Sequence, residues 1–327
     1  MKLKKSIAVL AVAGLLGGVA PAHAYIQLNG WKVDLGALGD LGPAQDNFTG
    51  YGVLGAAGVP AGSGGINNMT FNALYHAYGD FGPDELPAVG DTYNTDLAGV
   101  TTSVVGNTGI IPLTSTGKIL NFDFELTFVA TTTQEVTGVL GPVTLNKHLP
   151  VGFGPDGFAP NGILEIYADA LGAGNNAGVQ GNTDPDLGGA GMDDGTLIGT
   201  FAIRYTGVSS GSFNLLALDG QDDASWVLLT NPYGVLLDSS LVPLVPGDVL
   251  SFTNSNTDGD GDNDGVLNTN PTGGLFAGIC GGVQTFDDNC GVEDGSLNLQ
   301  KVPEPGSLAL LGLGLAGLAG ARRRRSV

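Results

Sequence analysis

Asp258, Asp260, Asp262 and Asp264 are four carboxylates spaced alternately with Gly259, Gly261 and Asn263, and Gly265 follows them. Counting Asp260 as position one puts Asp262 and Asp264 at three and five, Gly265 at six, the Val266 carbonyl at seven and Asn268 at nine. Alternate oxygen ligands of this kind can turn inward around a hard cation, and the glycine permits the bend. Left empty, the same carboxylates repel one another, at a cost that solvent screens. The expectation is a calcium loop, with a solvated acidic turn as the alternative.

The run resembles the first half of an EF-hand-type loop, but Pro271 stands at position twelve where a bidentate Glu belongs. A remote acid such as Asp287, Asp288, Glu293 or Asp294 is then needed to complete the shell. Arrangements for catalysis are sparser. His76 and His148 lie on unrelated segments, and the chain has neither a Gly-x-Ser-x-Gly elbow nor a His-Glu-x-x-His pair. Paired carboxylates for glycoside hydrolysis stay open, since acids are abundant and their separation is invisible in a sequence. Trp31, Trp226 and the tyrosines could stack on sugars, although core packing is the commoner role. The expectation is a non-enzymatic protein.

Cys280 and Cys290 are the only cysteines. In an oxidising compartment an isolated pair ten apart is expected to form one disulfide closing a small loop. A thiol metal site would need further thiols or histidines nearby.

The segment that must position these groups runs from Tyr25 to Lys301 and is long enough for a real core. It carries five basic residues against 31 acids, a net charge of −26, more extreme than the −20 of the whole chain. Such a surface repels phosphate backbones, so no nucleic-acid partner is expected. Leu120, Phe122, Phe124, Leu126 and Phe128 alternate with Asn121, Asp123, Glu125 and Thr127, the period-two pattern of a half-buried strand. A second strand is expected over Leu197 to Tyr205, with Leu197, Phe201, Ile203 and Tyr205 on one face. Shorter ones are expected at Ile163 to Ala168, Phe213 to Leu218, Trp226 to Thr230, Val249 to Phe252 and Gln27 to Val33. Long Gly- and Asp-rich loops are expected at 36–65 and 171–195. Helical periodicity is nearly absent, so the predicted fold is all-β: an antiparallel β-sandwich of possible jelly-roll type with long Gly/Asp-rich loops, followed by a C-terminal transmembrane sorting helix.

The two ends carry targeting chemistry. Lys2, Lys4 and Lys5 precede an apolar run and then Ala22-His23-Ala24, which reads as a signal peptide over residues 1–24. At the other end Pro303-Glu304-Pro305 precedes an apolar run to Ala321 and then Arg322, Arg323, Arg324 and Arg325. The apolar stretch is about 24 Å long as a helix, enough to engage a membrane with some local thinning. The arginines resist translocation and hold that end inside, which sets the prolines at the outer face of the inner membrane. An ordinary membrane anchor is the plain alternative.

Residues 302–327 resemble the three-part tail of PEP-CTERM proteins, which an exosortase system is thought to recognise and process. The segments Leu164-Glu165-Ile166-Tyr167-Ala168-Asp169 and 194–201 also resemble the body of the flocculation-associated PEP-CTERM group. The resemblance implies an inner-membrane intermediate, then release to the cell surface or extracellular matrix, in association with exopolysaccharide, biofilm or floc formation. The domain of residues 25–301 is expected to be calcium-stabilised there. An exported carbohydrate-binding module or carbohydrate-active enzyme is the alternative.

Overall fold

The computed structural model describes residues 26–28, 30–42, 46–51, 53–54, 66–79, 81, 86–106, 109–112, 124–149, 162–170, 191–204, 210–214, 219–258, 275–276 and 288–301. Residues 27–301 form one compact unit. The strands in chain order are β1 (Ile26–Gln27), β2 (Lys32–Asp34), β3 (Val53–Leu54), β4 (Ile66–Gly79) and β5 (Thr92–Gly106). There follow β6 (Gly109–Pro112), β7 (Phe124–Leu140), β8 (Val143–His148), β9 (Ile163–Ala170) and β10 (Thr196–Ile203). The last are β11 (Ser210–Asn214), β12 (Asp219–Thr230), β13 (Leu236–Leu237), β14 (Val249–Asp258) and β15 (Asp288–Lys301).

The chain is all-β, as its patterning implies, but it is a closed barrel and not a sandwich. Antiparallel pairing runs from β4 through β5, β7, β9, β10, β12, β14 and β15, and β15 pairs back onto β4. Eight strands thus close one ring. A sandwich and a barrel share the same amphipathic alternation and short turns, so period two does not separate them. Closure is decided by the β15 to β4 ladder, from Leu297 opposite Met69 to Asp288 opposite Tyr78. It leaves the ring without an open edge.

Several wall positions are shared between two short strands. β8 and β9 both pair with β7, β8 with Gln134 to Leu140 and β9 with Phe124 to Thr131. They follow one another along the same edge of β7. In the same way β10 and β11 both pair with β12, while β6 and β7 both pair with β5. The expectation for Leu197 is corrected here: the register shifts between Leu197 and Gly199, so Ile198, not Leu197, is the fully buried residue. A bulge turns the side chains that follow it onto the other face.

One end of the barrel is capped. Trp31, Val33, Leu35 and Phe48 pack with Leu236 and Leu244 over the interior residues Leu126, Ile166, Phe201 and Leu299, all of them buried. Each such side chain contributes about 1.5–3 kcal/mol by leaving water. The cap is tied by Asn231, whose Nδ2 donates to the Leu236 and Leu244 carbonyls and whose Oδ1 accepts from Leu236 N–H. Below the cap the interior is filled by Phe71 and Phe128, edge to face with centroids 4.9 Å apart.

The outer wall carries Asn72, Asp96, Glu125, Glu135 and Lys147, with Lys147 paired to Glu135 at 2.9 Å. A second apolar cluster forms where Met192 and Phe276 join Leu74, Val129 and Ile163. Among the described residues no helix is long and apolar enough to cross a membrane, and the sorting helix expected over 306–321 lies outside them.

Candidate functional site

The strands leave the apolar interior and continue to the opposite end of the barrel, where their inward positions become polar. On β5, β7 and β8 the row Tyr93, Gln134 and His148 is directly paired. On β8, β11 and β12 the next row is Asn146, Gly211 and Asp222. Tyr75, Ala77 and Glu293 complete the wall from β4 and β15, and Phe81 stands at the rim. Together they line a cavity of about 60 Å³ that opens to solvent. That is room for roughly four to six water molecules.

The polar groups are held before any ligand arrives. Tyr93 Oη donates to Gln134 Oε1 at 2.8 Å, and His148 Nε2 is hydrogen-bonded to Asp222 Oδ1 at 2.7 Å. Burial, then the nearby Asp222 carboxylate, push the Tyr93 phenol well above its usual value, so it stays a donor. Gly211 makes the room. A Cβ built there lies 3.0 Å from Asp222 Oδ1 and 3.2 Å from the Gln221 carbonyl oxygen, so any larger residue crowds Asp222 and the β12 backbone. Asn146 Oδ1 is buried and has no hydrogen-bond partner among the described residues.

A second polar cluster sits on the outer wall near the capped end. Glu125 of β7 and Asp169 of β9 face each other across the ladder and both are buried. Asp46, from the cap, comes in beside Asp169 and accepts a hydrogen bond from Thr196 Oγ1 at 3.1 Å. Burial, then Asp46, with Asp194 and Glu125 contributing, push the Asp169 carboxyl up to about 8. It therefore keeps its proton at neutral pH, relieving the like-charge contact. Among the described residues no group of three His, Cys, Asp or Glu side chains could hold a metal ion.

Asp258 is the last residue of β14, opposite Val292 and Asp219. The rest of the calcium loop, Asp260, Asp262, Asp264, Val266 and Asn268, lies outside the described residues. Of the acids considered for completing it, Asp288 is engaged by His76 at 2.9 Å and Glu293 lines the barrel cavity. Cys290 is buried on β15, in the same apolar cluster as Phe276, whereas Cys280 lies outside the described residues. Pro303, Glu304, Pro305 and Arg322 to Arg325 also lie outside them. Trp31 and Trp226 are core residues, Trp226 Nε1 donating to Thr253 Oγ1 at 3.0 Å. The unexpected residues are Tyr93, Gln134, Asn146, Gly211 and Asp222. The only signal for them in the sequence is a polar residue at alternate positions of a strand, which is indistinguishable from a solvated face.

Residues 301–325 match the PEP-CTERM protein-sorting motif. No curated protein matches the chain. Among solved structures the chain is similar to Ail, the attachment invasion locus protein of Yersinia pestis, at 7% identity and a TM-score of 0.14, over 72% of this chain and 98% of that one. A likeness so slight carries no argument about this protein.

Proposed function

We infer from the PEP-CTERM protein-sorting motif at residues 301–325 that this exported, exosortase-sorted chain works as a non-enzymatic surface or extracellular-matrix protein associated with exopolysaccharide, in biofilm or floc formation. The motif is the observation that carries the reading. Its parts have separate tasks: the arginines stop translocation, the apolar stretch of 306–321 holds the chain at the inner membrane, and the prolines keep the junction extended for cutting. The mature body suits the destination. A ring with no open edge and a strongly acidic surface resists edge-to-edge pairing in a crowded matrix.

The test is the intact mass of the protein recovered from the matrix of an exosortase-bearing host. Expected are a C-terminus trimmed near Pro303 to Pro305 and, on reduction, a gain of two hydrogens from the Cys280–Cys290 disulfide. Phe276, packed in the cluster that holds Cys290, supports that bridge, because four extended residues from 276 to 280 reach at most about 14 Å. Replacing Pro303, Glu304 and Pro305 together with alanine should leave the tail attached and deplete the matrix of protein. A cytoplasmic product with both ends intact overturns the reading.

Calcium at residues 258–268 belongs to the same reading, supported by the spacing of the carboxylates. Calcium is expected to raise the melting temperature of the mature protein, and Asp260→Ala with Asp262→Ala to remove that rise. A wild-type melting curve indifferent to calcium rejects it.

A further inference from the structure

The polar end of the barrel has three features that point to a ligand. Its volume of about 60 Å³ holds roughly four to six waters, so the ligand it suits is one small ring with part of it left in solvent. Its lining includes the aromatic residues Tyr75, Tyr93 and Phe81 together with the amides and carboxylates of Gln134, Asn146, Asp222 and Glu293. Its charge is one-sided, because two carboxylates line it and no Lys or Arg does among the described residues.

We propose that this cavity binds a single neutral hexose or hexosamine unit, free or at the end of a glycan. A pyranose offers C–H faces that pack on aromatic rings and hydroxyls that each donate one hydrogen bond and accept two. The wall supplies what such a ring needs: acceptors at Asp222, Glu293 and Asn146 Oδ1, and aromatic residues in the same lining. The buried, unpaired Asn146 Oδ1 is an acceptor that a sugar hydroxyl can satisfy. The carboxylates exclude an anionic ligand, since bringing a third negative charge among them is unfavourable at these separations. The amino group of a hexosamine is admitted for the same reason.

Preorganisation makes the site more than a hollow. The key side chains project from ladder-paired strands, and the Tyr93–Gln134 and His148–Asp222 hydrogen bonds fix two of them in advance. Gly211 keeps the floor open between Gln134 and Asp222. Asp222 and Gln134 are binding residues, and His148 is a positioning residue acting through Asp222. None of this depends on how the protein is sorted, so the inference stands or falls apart from the function proposed above.

The experiment is calorimetric titration of the purified mature protein with glucose, galactose, mannose, glucosamine, N-acetylglucosamine and glucuronate. Expected is saturable, one-to-one binding of at least one uncharged or amine-bearing sugar, with no heat from glucuronate. Gly211→Ala and the isosteric Glu293→Gln should each weaken that binding at least fivefold while the melting temperature of Glu293→Gln stays unchanged. If Gly211→Ala fails to fold, Glu293→Gln decides alone. Three results overturn the proposal: no saturation with any sugar, equal binding of glucuronate, or undiminished binding by Glu293→Gln.

Discussion

Gly99→Val is expected to lower the unfolding free energy by about 3 kcal/mol, at the upper end of what overpacking a filled core costs. Gly99 faces inward from β5 at the level where the Phe128 ring crosses the interior. A Cβ built on it falls onto the edge of that ring and lies 2.8 Å from the Ala73 Cβ. Phe128 is not free to withdraw, because it packs edge to face on Phe71. A double-mutant cycle of Gly99→Ala with Phe128→Leu should therefore show a favourable coupling of about 1 kcal/mol or more, since the smaller side chain vacates the space the new methyl needs. Urea midpoints at constant slope measure both. An unchanged midpoint for Gly99→Val would mean that Phe128 does not occupy the barrel interior.

Raising the pH from about 4 to about 8 is expected to lower the melting temperature of the purified protein by at least several degrees, and Asp169→Asn to remove most of that fall. The sign follows from the direction of the shift. Asp169 has an ordinary value of 3.8 in the unfolded chain and is pushed up to about 8 when folded, first by burial and then by Asp46. Between those values the folded state holds a proton that the unfolded state has released, so stability declines with rising pH. Its contribution is complete below about 4 and gone once the pH passes about 8. Asp46, Glu125 and Asp194 face the same group, and deprotonation at Asp169 adds a further negative charge among them. Self-repulsion of the acidic surface also grows with pH, which is why the comparison with Asp169→Asn, and not the bare slope, is diagnostic. Parallel curves for the two proteins would exclude Asp169 as the proton holder.

Strand β7 was legible because its first half lies in the apolar part of the barrel, where Phe124 and Leu126 are buried inward and alternate with Glu125 and Thr127, although those polar positions are buried too and the strand is not half-exposed as its pattern implies. Strands β4, β5 and β15 were not, although they are among the longest. Each runs from the apolar interior into the polar mouth, so the inward positions of β5 pass from Leu97 to Thr95 and Tyr93, and those of β15 from Leu297 to Glu293 and Asn289. Hydrophobic alternation vanishes where the wall turns from core to binding surface. The site was hidden for the same reason. Asp222, Asn146 and Gln134 read as solvated positions until pairing brings three separate strands around Gly211.

Composition and order alone determined that this chain is all-β and strongly acidic and carries a PEP-CTERM sorting motif over residues 301–325, because those properties are local and additive along the chain. Only the tertiary structure decided that the sheet closes on itself and leaves one mouth polar. Closure depends on β15 finding β4, with contacts such as His76 to Asp288 spanning 212 residues, and a sequence pattern of period two is satisfied equally by partners it does not specify.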